Sequence, residues 1–256
     1  MENTSAICKN CGTSLSGKYC SECGQSSATG RINFHYIIHE VQHSIFHVDK
    51  GILYTIKELL LRPGNTIRGY LEGKRVGIFK PFAFVIILGT IYGLIGHFFN
   101  MYPEQSVIPI YDNAAQEYYS QFFFDLVYSH YSLTILGFTP FFALGSFIAF
   151  RKAGYNFIEH LVLNCYITGM HIILNLLLYF VFYFTESSWL YTFSMILALL
   201  YQIWVYVQLF DKVTPIKTIM KAILAIGISM VILFILILII SIVFVIYLLI
   251  KEGEIG

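Results

Sequence analysis

The feature that most constrains this chain is one long apolar run near its C-terminal end. From Ala222 to Ile250 no residue carries a charge, and Ile, Leu, Val, Phe, Ala and Met fill nearly every position. A helix needs roughly 20 such residues to cross the hydrocarbon core of a bilayer. A soluble protein of 256 residues has no place for a helix that is apolar on every side. The run therefore predicts a membrane-spanning helix.

Four shorter apolar runs precede it, and the composition agrees with them. Hydrophobic residues make up 57% of the chain and charged residues only 12%, about half of the charged fraction of a soluble domain. We predict an all-α membrane protein with about five transmembrane helices, and we expect the fifth, which has no polar stripe, to be the most exposed to lipid. The predicted transmembrane domain covers 81–250, with spans at 81–99, 131–150, 161–184, 189–210 and 219–250.

The distribution of basic residues predicts how these spans are oriented. Ten of the sixteen Lys and Arg residues precede residue 81, two lie in the loop 151–160 and three lie between 211 and 221, whereas only Lys251 belongs to the opposite side. Short loops rich in Lys and Arg remain in the cytoplasm. We therefore expect a multi-pass protein with its N-terminus in the cytoplasm and its C-terminus outside.

The first 28 residues contain two Cys-x-x-Cys-Gly units. Cys8 and Cys11 form the first pair, and Cys20 and Cys23 form the second. Four thiolates at this spacing are typical of a closed tetrahedral site for structural Zn²⁺. The alternatives are two redox motifs or disulfides. We predict a zinc ribbon over 1–28, and we expect the metal to supply its folding energy because so short a segment has almost no core.

Residues 31–80 read as a basic juxtamembrane region of cytoplasmic amphipathic helices. Histidines recur at every fourth position on one face of the first helix, and the residues of this face are His35, His39, His43 and His47. It is either a polar outer face or a pH-responsive or metal-binding one. The basic residues that follow form a collar that sets the topology, or that binds anionic lipid headgroups or the acidic surface of a partner. The residues of this collar are Arg62, Arg68, Lys74, Arg75 and Lys80.

These motifs together resemble a family of bacterial membrane proteins whose domain has no known function. The resemblance rests on the two cysteine units, on Arg62-Pro63-Gly64, on Gly73-Lys74-Arg75 and on Lys80-Pro81, and it includes a Glu-His motif at Glu159-His160. It implies a zinc-ribbon-bearing protein of the inner membrane. It implies no activity.

The third span carries a polar stripe, which is the best candidate for an intramembrane site. Its residues recur at helical spacing, and Glu159 stands beside its cytoplasmic end; the stripe consists of His160, Asn164, Thr168, His171 and Asn175. Because polar groups are costly against lipid, we expect it to face the bundle interior or water. It either joins helices through hydrogen bonds, with partners available in the fourth span, or lines a path for a substrate, a lipid or protons.

Three functions follow from these features. The first is an interaction module, in which the zinc ribbon docks a protein partner. The second is a transporter or lipid-handling protein that uses the polar stripe, and the third is a membrane-embedded enzyme, for which no nucleophile or acid–base pair is identifiable. Nucleic-acid binding is disfavoured because few cations flank the ribbon. Gly89 and Gly93 form a GxxxG pair that indicates close helix packing or a homodimer.

Overall fold

The computed structural model describes residues 7–36, 51–99, 130–185 and 189–253. Within these ranges the chain is all-α, and its extended pairing is confined to two isolated β-bridges in the N-terminal ribbon. One turn of 3-10 helix, Arg151–Ala153, joins two of the helices. The helices are α1 (Ile52–Leu61), α2 (Pro63–Glu72), α3 (Pro81–Phe98), α4 (Tyr131–Phe150), α5 (Phe157–Thr185), α6 (Trp189–Leu209) and α7 (Pro215–Gly253).

Five of these helices are long and apolar enough to cross a membrane, which confirms the predicted fold class. The apolar segments are Pro81–Phe98, Tyr131–Ala153, Phe157–Thr185, Thr192–Leu209 and Pro215–Phe244. Helix α5 begins four residues before the span read from hydropathy. Asn156 and Glu159 exchange hydrogen bonds across its first turn, because Asn156 N donates to Glu159 Oε2 at 2.7 Å and Glu159 N donates to Asn156 Oδ1 at 2.8 Å. This reciprocal capping starts the helix before its apolar part.

Helix α5 is the centre of the bundle. Every residue from 162 to 170 is buried, so this part of the helix is covered on all sides by its neighbours. Gly169 lets α3 approach closely, since a side chain there would overlap the ring of Phe84. Tyr166 packs against the rings of Phe84 and Tyr70, and its hydroxyl donates to Phe79 O at 2.8 Å. Helix α5 therefore joins the membrane bundle to the segment that precedes α3.

Helix α7 lies at the edge of the bundle, as the absence of a polar stripe predicted. Within an apolar stretch of 18 residues in this helix only 11% are buried, the lowest share of the five spans. The buried residues Ala222, Ala225 and Ser229 form a narrow seam against α4. At Gly145 of α4, an added side chain would collide with Ser229 and with Ala225 O. The two helices are therefore in contact through small residues, while the rest of α7 is left to the surroundings.

Helices α1 and α2 form a hairpin beside α6. Pro63 occupies the first position of α2, where its missing N–H costs nothing. Gly73 ends α2 with a φ of +115°, a backbone conformation that glycine adopts without strain. Gly64 contacts α6 so closely that a side chain there would overlap Gln208, and its N–H donates to Gln208 Oε1 at 3.1 Å. The Arg-Pro-Gly motif thus both turns the chain and packs α2 on α6.

The glycine pair of α3 contacts α4 of the same chain. A side chain at Gly89 would lie 2.9 Å from Ser132 Cα, and one at Gly93 would lie 3.6 Å from Tyr131 Cβ. The ring of Tyr131 stacks on that of Tyr92 at a centroid distance of 4.6 Å. The small residues of α3 therefore serve packing between two helices of one chain.

Candidate functional site

The N-terminal ribbon consists of two knuckles with the same backbone structure. In the first, Cys8 N donates to Thr13 O at 2.8 Å and Gly12 N donates to Cys8 O at 2.9 Å. The second repeats both bonds twelve residues later with the same lengths, from Cys20 N to Gln25 O and from Gly24 N to Cys20 O. Gly12 and Gly24 have φ values of +81° and +73°, so each turn requires the glycine that follows its Cys-x-x-Cys.

The two knuckles bring their four thiols to a single point. All the Sγ atoms of Cys8, Cys11, Cys20 and Cys23 lie within 4.8 Å of one another. The distances between knuckles are 3.6 Å for Cys8–Cys23 and 3.5 Å for Cys11–Cys20. These distances are too long for an S–S bond of about 2 Å, but they are close to the edge of a tetrahedron of roughly 3.8 Å that Zn–S bonds of about 2.3 Å would form. The residues therefore fit a closed four-thiolate metal site.

Hydrogen bonds within the knuckles lower the pKa of two of the thiols. The hydroxyl and the backbone N–H of Thr13 lower the pKa of Cys11 to about 6. The backbone N–H groups of Cys11 and Asn10 also lower the pKa of Cys8. At Cys23 the N–H of Gln25 acts in the same direction, but desolvation and the three neighbouring thiols prevail and raise the pKa to about 11. The thiolate is the form that binds a metal.

The second knuckle is bonded to the basic segment that follows α2. Arg75 N donates to Gln25 Oε1 at 3.1 Å, and Arg75 Nη2 donates to Gly30 O at 2.7 Å. The same guanidinium lies 4.5 Å from the ring centroid of Tyr36 and 5.7 Å from that of Tyr70. Arg75 thus makes a cation–π contact, one hydrogen bond to the side chain of Gln25 and one to the backbone of Gly30, and the two bonds hold the ribbon on the hairpin.

The linker after the ribbon is bonded to the first turn of α5. Arg31 forms a two-pronged ion pair with Glu159, at 2.8 Å from Nε and 2.7 Å from Nη2, and Nη2 also donates to Gly154 O at 2.7 Å. The hydrogen bonds and charge of Glu159 raise the pKa of Arg31. Asn156 Nδ2 donates to Ile32 O at 3.0 Å. The Glu-His motif therefore begins with a carboxylate that fastens the N-terminal segment to the bundle.

Three residues of the predicted basic collar are engaged within the chain. Arg62 pairs with Glu58 at 2.6 Å. Arg68 reaches the end of α6, where Nη1 lies 2.7 Å from Asp211 Oδ2 and Nη2 donates to the carbonyls of Gln208 and Leu209. Arg75 holds the ribbon, as described above. Lys74 is exposed and Lys80 is half-buried at the start of α3. The collar is thus largely a set of internal contacts.

The end of the polar stripe nearest the start of α5 lies in a buried hydrogen-bond network. Ser146 Oγ of α4 lies 2.9 Å from His160 Nδ1 and accepts a bond of 2.9 Å from Asn164 Nδ2, which also bonds to His160 O at 2.8 Å. Since the Ser146 hydroxyl donates to Ala143 O at 3.0 Å, every bond is satisfied when His160 carries its proton on Nδ1. The network joins α4 to α5 in the manner of intramembrane helix packing.

The two stripe histidines each have one ring nitrogen without a hydrogen-bond partner among the described residues. His160 Nε2 lies among aromatic rings: Phe147 at 5.7 Å, Tyr155 at 6.4 Å and Phe210 at 6.1 Å between centroids. His171 Nε2 is likewise unpaired, and its ring is 6.1 Å from that of Tyr201 in α6. The fourth span therefore supplies the neighbour of His171, whereas the partner of His160 and Asn164 comes from the second span.

The remaining predicted residues are placed as follows. Thr168 is buried in α5, while His171 and Asn175 are half-buried farther along it. His35 is exposed next to the ribbon linker. The other residues of the histidine face, His39, His43 and His47, lie outside the described residues.

Comparison with known proteins gives one match. Residues 49–93 match a family model described as a protein of unknown function, DUF3667. The matched segment contains α1, α2 and most of α3, including the Arg-Pro-Gly and Gly-Lys-Arg motifs on which the resemblance was based. Neither the curated proteins nor the solved structures contain a match. The match supports a domain of unknown function, and it does not extend to the cysteine ribbon.

Several residues that hold the site together escaped the sequence reasoning. Arg31, Gln25 and Tyr36 connect the ribbon to the hairpin and to α5, and Ser146 completes the network of the polar stripe. One signal was available in the sequence, because Asn156-x-x-Glu159 is a capping pattern that places a carboxylate at the start of α5. The partners themselves are 128 and 14 residues apart along the chain, and no local pattern indicates them.

Proposed function

We propose that this is a multi-pass protein of the bacterial inner membrane whose N-terminal ribbon binds structural Zn²⁺ in the cytoplasm and docks a protein partner. The asymmetry of Lys and Arg supports this orientation. Reduced thiols in the cytosol are also free to hold a metal. A site closed by four cysteines leaves no position for a substrate, which favours a structural role over a catalytic one.

The proposal rests on the way in which the rest of the protein holds the ribbon. Its inner side is fastened by Arg75 and Arg31, whereas its two knuckles present Ile7 and Tyr19, which are 67% and 68% exposed. These two residues occupy equivalent positions, each directly before the first cysteine of its knuckle. A rigidly held module with large apolar side chains in water is typical of a surface that a protein covers.

The charges of the ribbon favour a protein over a nucleic acid. Lys9 and Lys18 are the only cations from residue 7 to residue 25. Lys9 Nζ donates to Thr29 O at 2.8 Å, and its stem packs against Gly73. Lys18 alone offers little for phosphate binding, which depends on several Lys and Arg contacts.

Affinity purification from native membranes in mild detergent tests this function. The wild type is compared with Ile7→Ser/Tyr19→Ser and with Cys20→Ser/Cys23→Ser at matched expression, and the zinc content of each is measured. We expect both variants to lose the same protein partner and only the cysteine variant to lose zinc. An unchanged set of co-purifying proteins in both variants would refute the docking role.

A further inference from the structure

The outward side of α1 is apolar, which is unusual for a helix next to water. Five residues occupy the exposed arc of this helix, and four of them are large and apolar or aromatic: Leu53 (75% exposed), Leu61 (63%), Tyr54 (48%) and Leu60 (41%), with Lys57 among them. The opposite arc is also occupied, because Thr55, Glu58 and Leu59 are buried against the rest of the protein. Among the described residues, only the inner side of α1 is therefore covered, and its apolar outer side is exposed.

The position of α1 along α6 shows where this outer surface lies. The Tyr201 hydroxyl donates to Leu59 O at 3.1 Å. Tyr201 stands eight residues before the end of α6 at Leu209, which corresponds to about 12 Å of helix. Helix α2 then returns toward the ribbon, since Arg68 contacts the end of α6 and Gly73 lies against Lys9 and Thr29. The last turn of α1, near Leu59, is thus the part of the hairpin that lies farthest from the end of α6, whereas Gly64 at the start of α2 contacts Gln208 at that end.

The charges near this turn suit a membrane interface. Arg62, at the turn, is paired with Glu58 at 2.6 Å, so its charge is neutralised within the hairpin. Lys57 is exposed on the apolar arc, and the flexible stem of a lysine allows its ammonium group to reach lipid phosphates while its methylenes stay in the acyl region. An arc of Leu, Leu, Lys, Leu and Tyr therefore matches the boundary between headgroups and acyl chains.

We propose that the α1–α2 hairpin is a wedge inserted into the cytoplasmic leaflet, and that its partner is phospholipid. Leu53, Leu60 and Leu61 lie among the acyl chains, and Lys57 contacts a headgroup phosphate. The bond between Leu59 and Tyr201 places α1 beside α6, one of the five spans. This inference rests on the proposed membrane placement of the five spans.

Tryptophan fluorescence in lipid nanodiscs, whose two faces are both open to solution, tests the wedge. Single tryptophans are placed by Leu61→Trp, Leu53→Trp, Phe234→Trp and Tyr19→Trp in the full chain, in a Trp189→Phe/Trp204→Phe background. Phe234 is 67% exposed on α7 and reports on the lipid, whereas Tyr19 reports on the water around the ribbon. Brominated phosphatidylcholine serves as the quencher in the bilayer and iodide as the quencher in solution.

We expect the probes at 61 and 53 to be quenched by brominated lipid as strongly as the probe at 234, and to be shielded from iodide. Quenching by iodide as efficient as that of the probe at 19, without quenching by lipid, would overturn the wedge. If the probe at 234 is also insensitive to brominated lipid, the membrane assignment itself fails. The two failures are therefore distinguished by the α7 probe.

Discussion

Arg31 joins the linker after the cysteine ribbon to the first turn of α5. Its partner Glu159 has a side chain that is only 4% exposed, whereas the Arg31 side chain is 60% exposed. A buried carboxylate that loses its cation keeps its desolvation cost without compensation. The loss of Arg31 should therefore destabilise the protein more through the unpaired buried carboxylate that remains than through the lost attraction between the two charges.

Replacing Arg31 should destabilise the start of α5. We expect Arg31→Met to lower the free energy of unfolding by about 1–3 kcal/mol, because Glu159 is left buried with fewer hydrogen bonds. Thermal unfolding in detergent measures this effect, and the exposed Arg151→Met serves as the control. The double variant Arg31→Met/Glu159→Gln should recover part of the loss, since it removes the uncompensated charge. If the losses of the two single variants simply add in the double variant, this account is wrong.

Arg68 performs a task that lysine cannot. Its guanidinium bonds to Asp211 and to two carbonyls at the end of α6, where the helix leaves its last C=O groups without partners. One ammonium group cannot reproduce this planar set of donors. We expect Arg68→Lys to cost about 1–2 kcal/mol of stability, measured by thermal unfolding. The nearby exposed Lys212→Gln should have little effect, and equal losses in the two variants would be evidence against the capping role.

At the scale of the element, the contact between α4 and α7 depends on small residues. Two glycines of α4 give a matched pair, because an added side chain collides with Ser229 and Ala225 at Gly145 but has nothing within 4 Å at Gly137. We expect Gly145→Ala to destabilise the bundle by about 1–3 kcal/mol through overpacking. Gly137→Ala should be neutral or slightly stabilising. Thermal unfolding of the two variants in the same detergent measures the difference. Equal stability of the two variants would disprove the close contact between α4 and α7.

At the scale of the whole molecule, the metal site should control order well beyond the ribbon. The ribbon contacts the segment after α2 through Arg75, and its linker contacts α5 through Arg31. Because a ribbon of this size would depend on a bound metal to fold, chelation should release both contacts. We expect faster amide hydrogen exchange at 73–76 and at 154–160, with no change in the C-terminal half of α5. Unchanged exchange at both of these segments would show that the ribbon and the bundle are independent.

Most of the architecture could be predicted from the sequence because it depends on local patterns. Continuous apolar runs of sufficient length predicted five spans, and the lack of polar residues in the last run predicted its peripheral place. The spacing of Cys8, Cys11, Cys20 and Cys23 predicted the cluster, since each knuckle is closed by bonds within six residues. The position of α1 against α6 had no such signal, because Leu59 and Tyr201 are 142 residues apart.

The sequence by itself therefore determined which segments are helical and apolar and where four thiols could meet, because helical hydrogen bonds and knuckle turns involve neighbours in the chain. Only the tertiary structure decided that Arg31 meets Glu159, that Ser146 meets His160 and that Arg68 caps α6. These side chains come from different elements, so their contacts follow from how the helices pack around α5. The predicted stripe and the predicted collar are consequently rich in internal contacts. Neither the helical spacing of the stripe nor the charges of the collar reveal such contacts in the sequence.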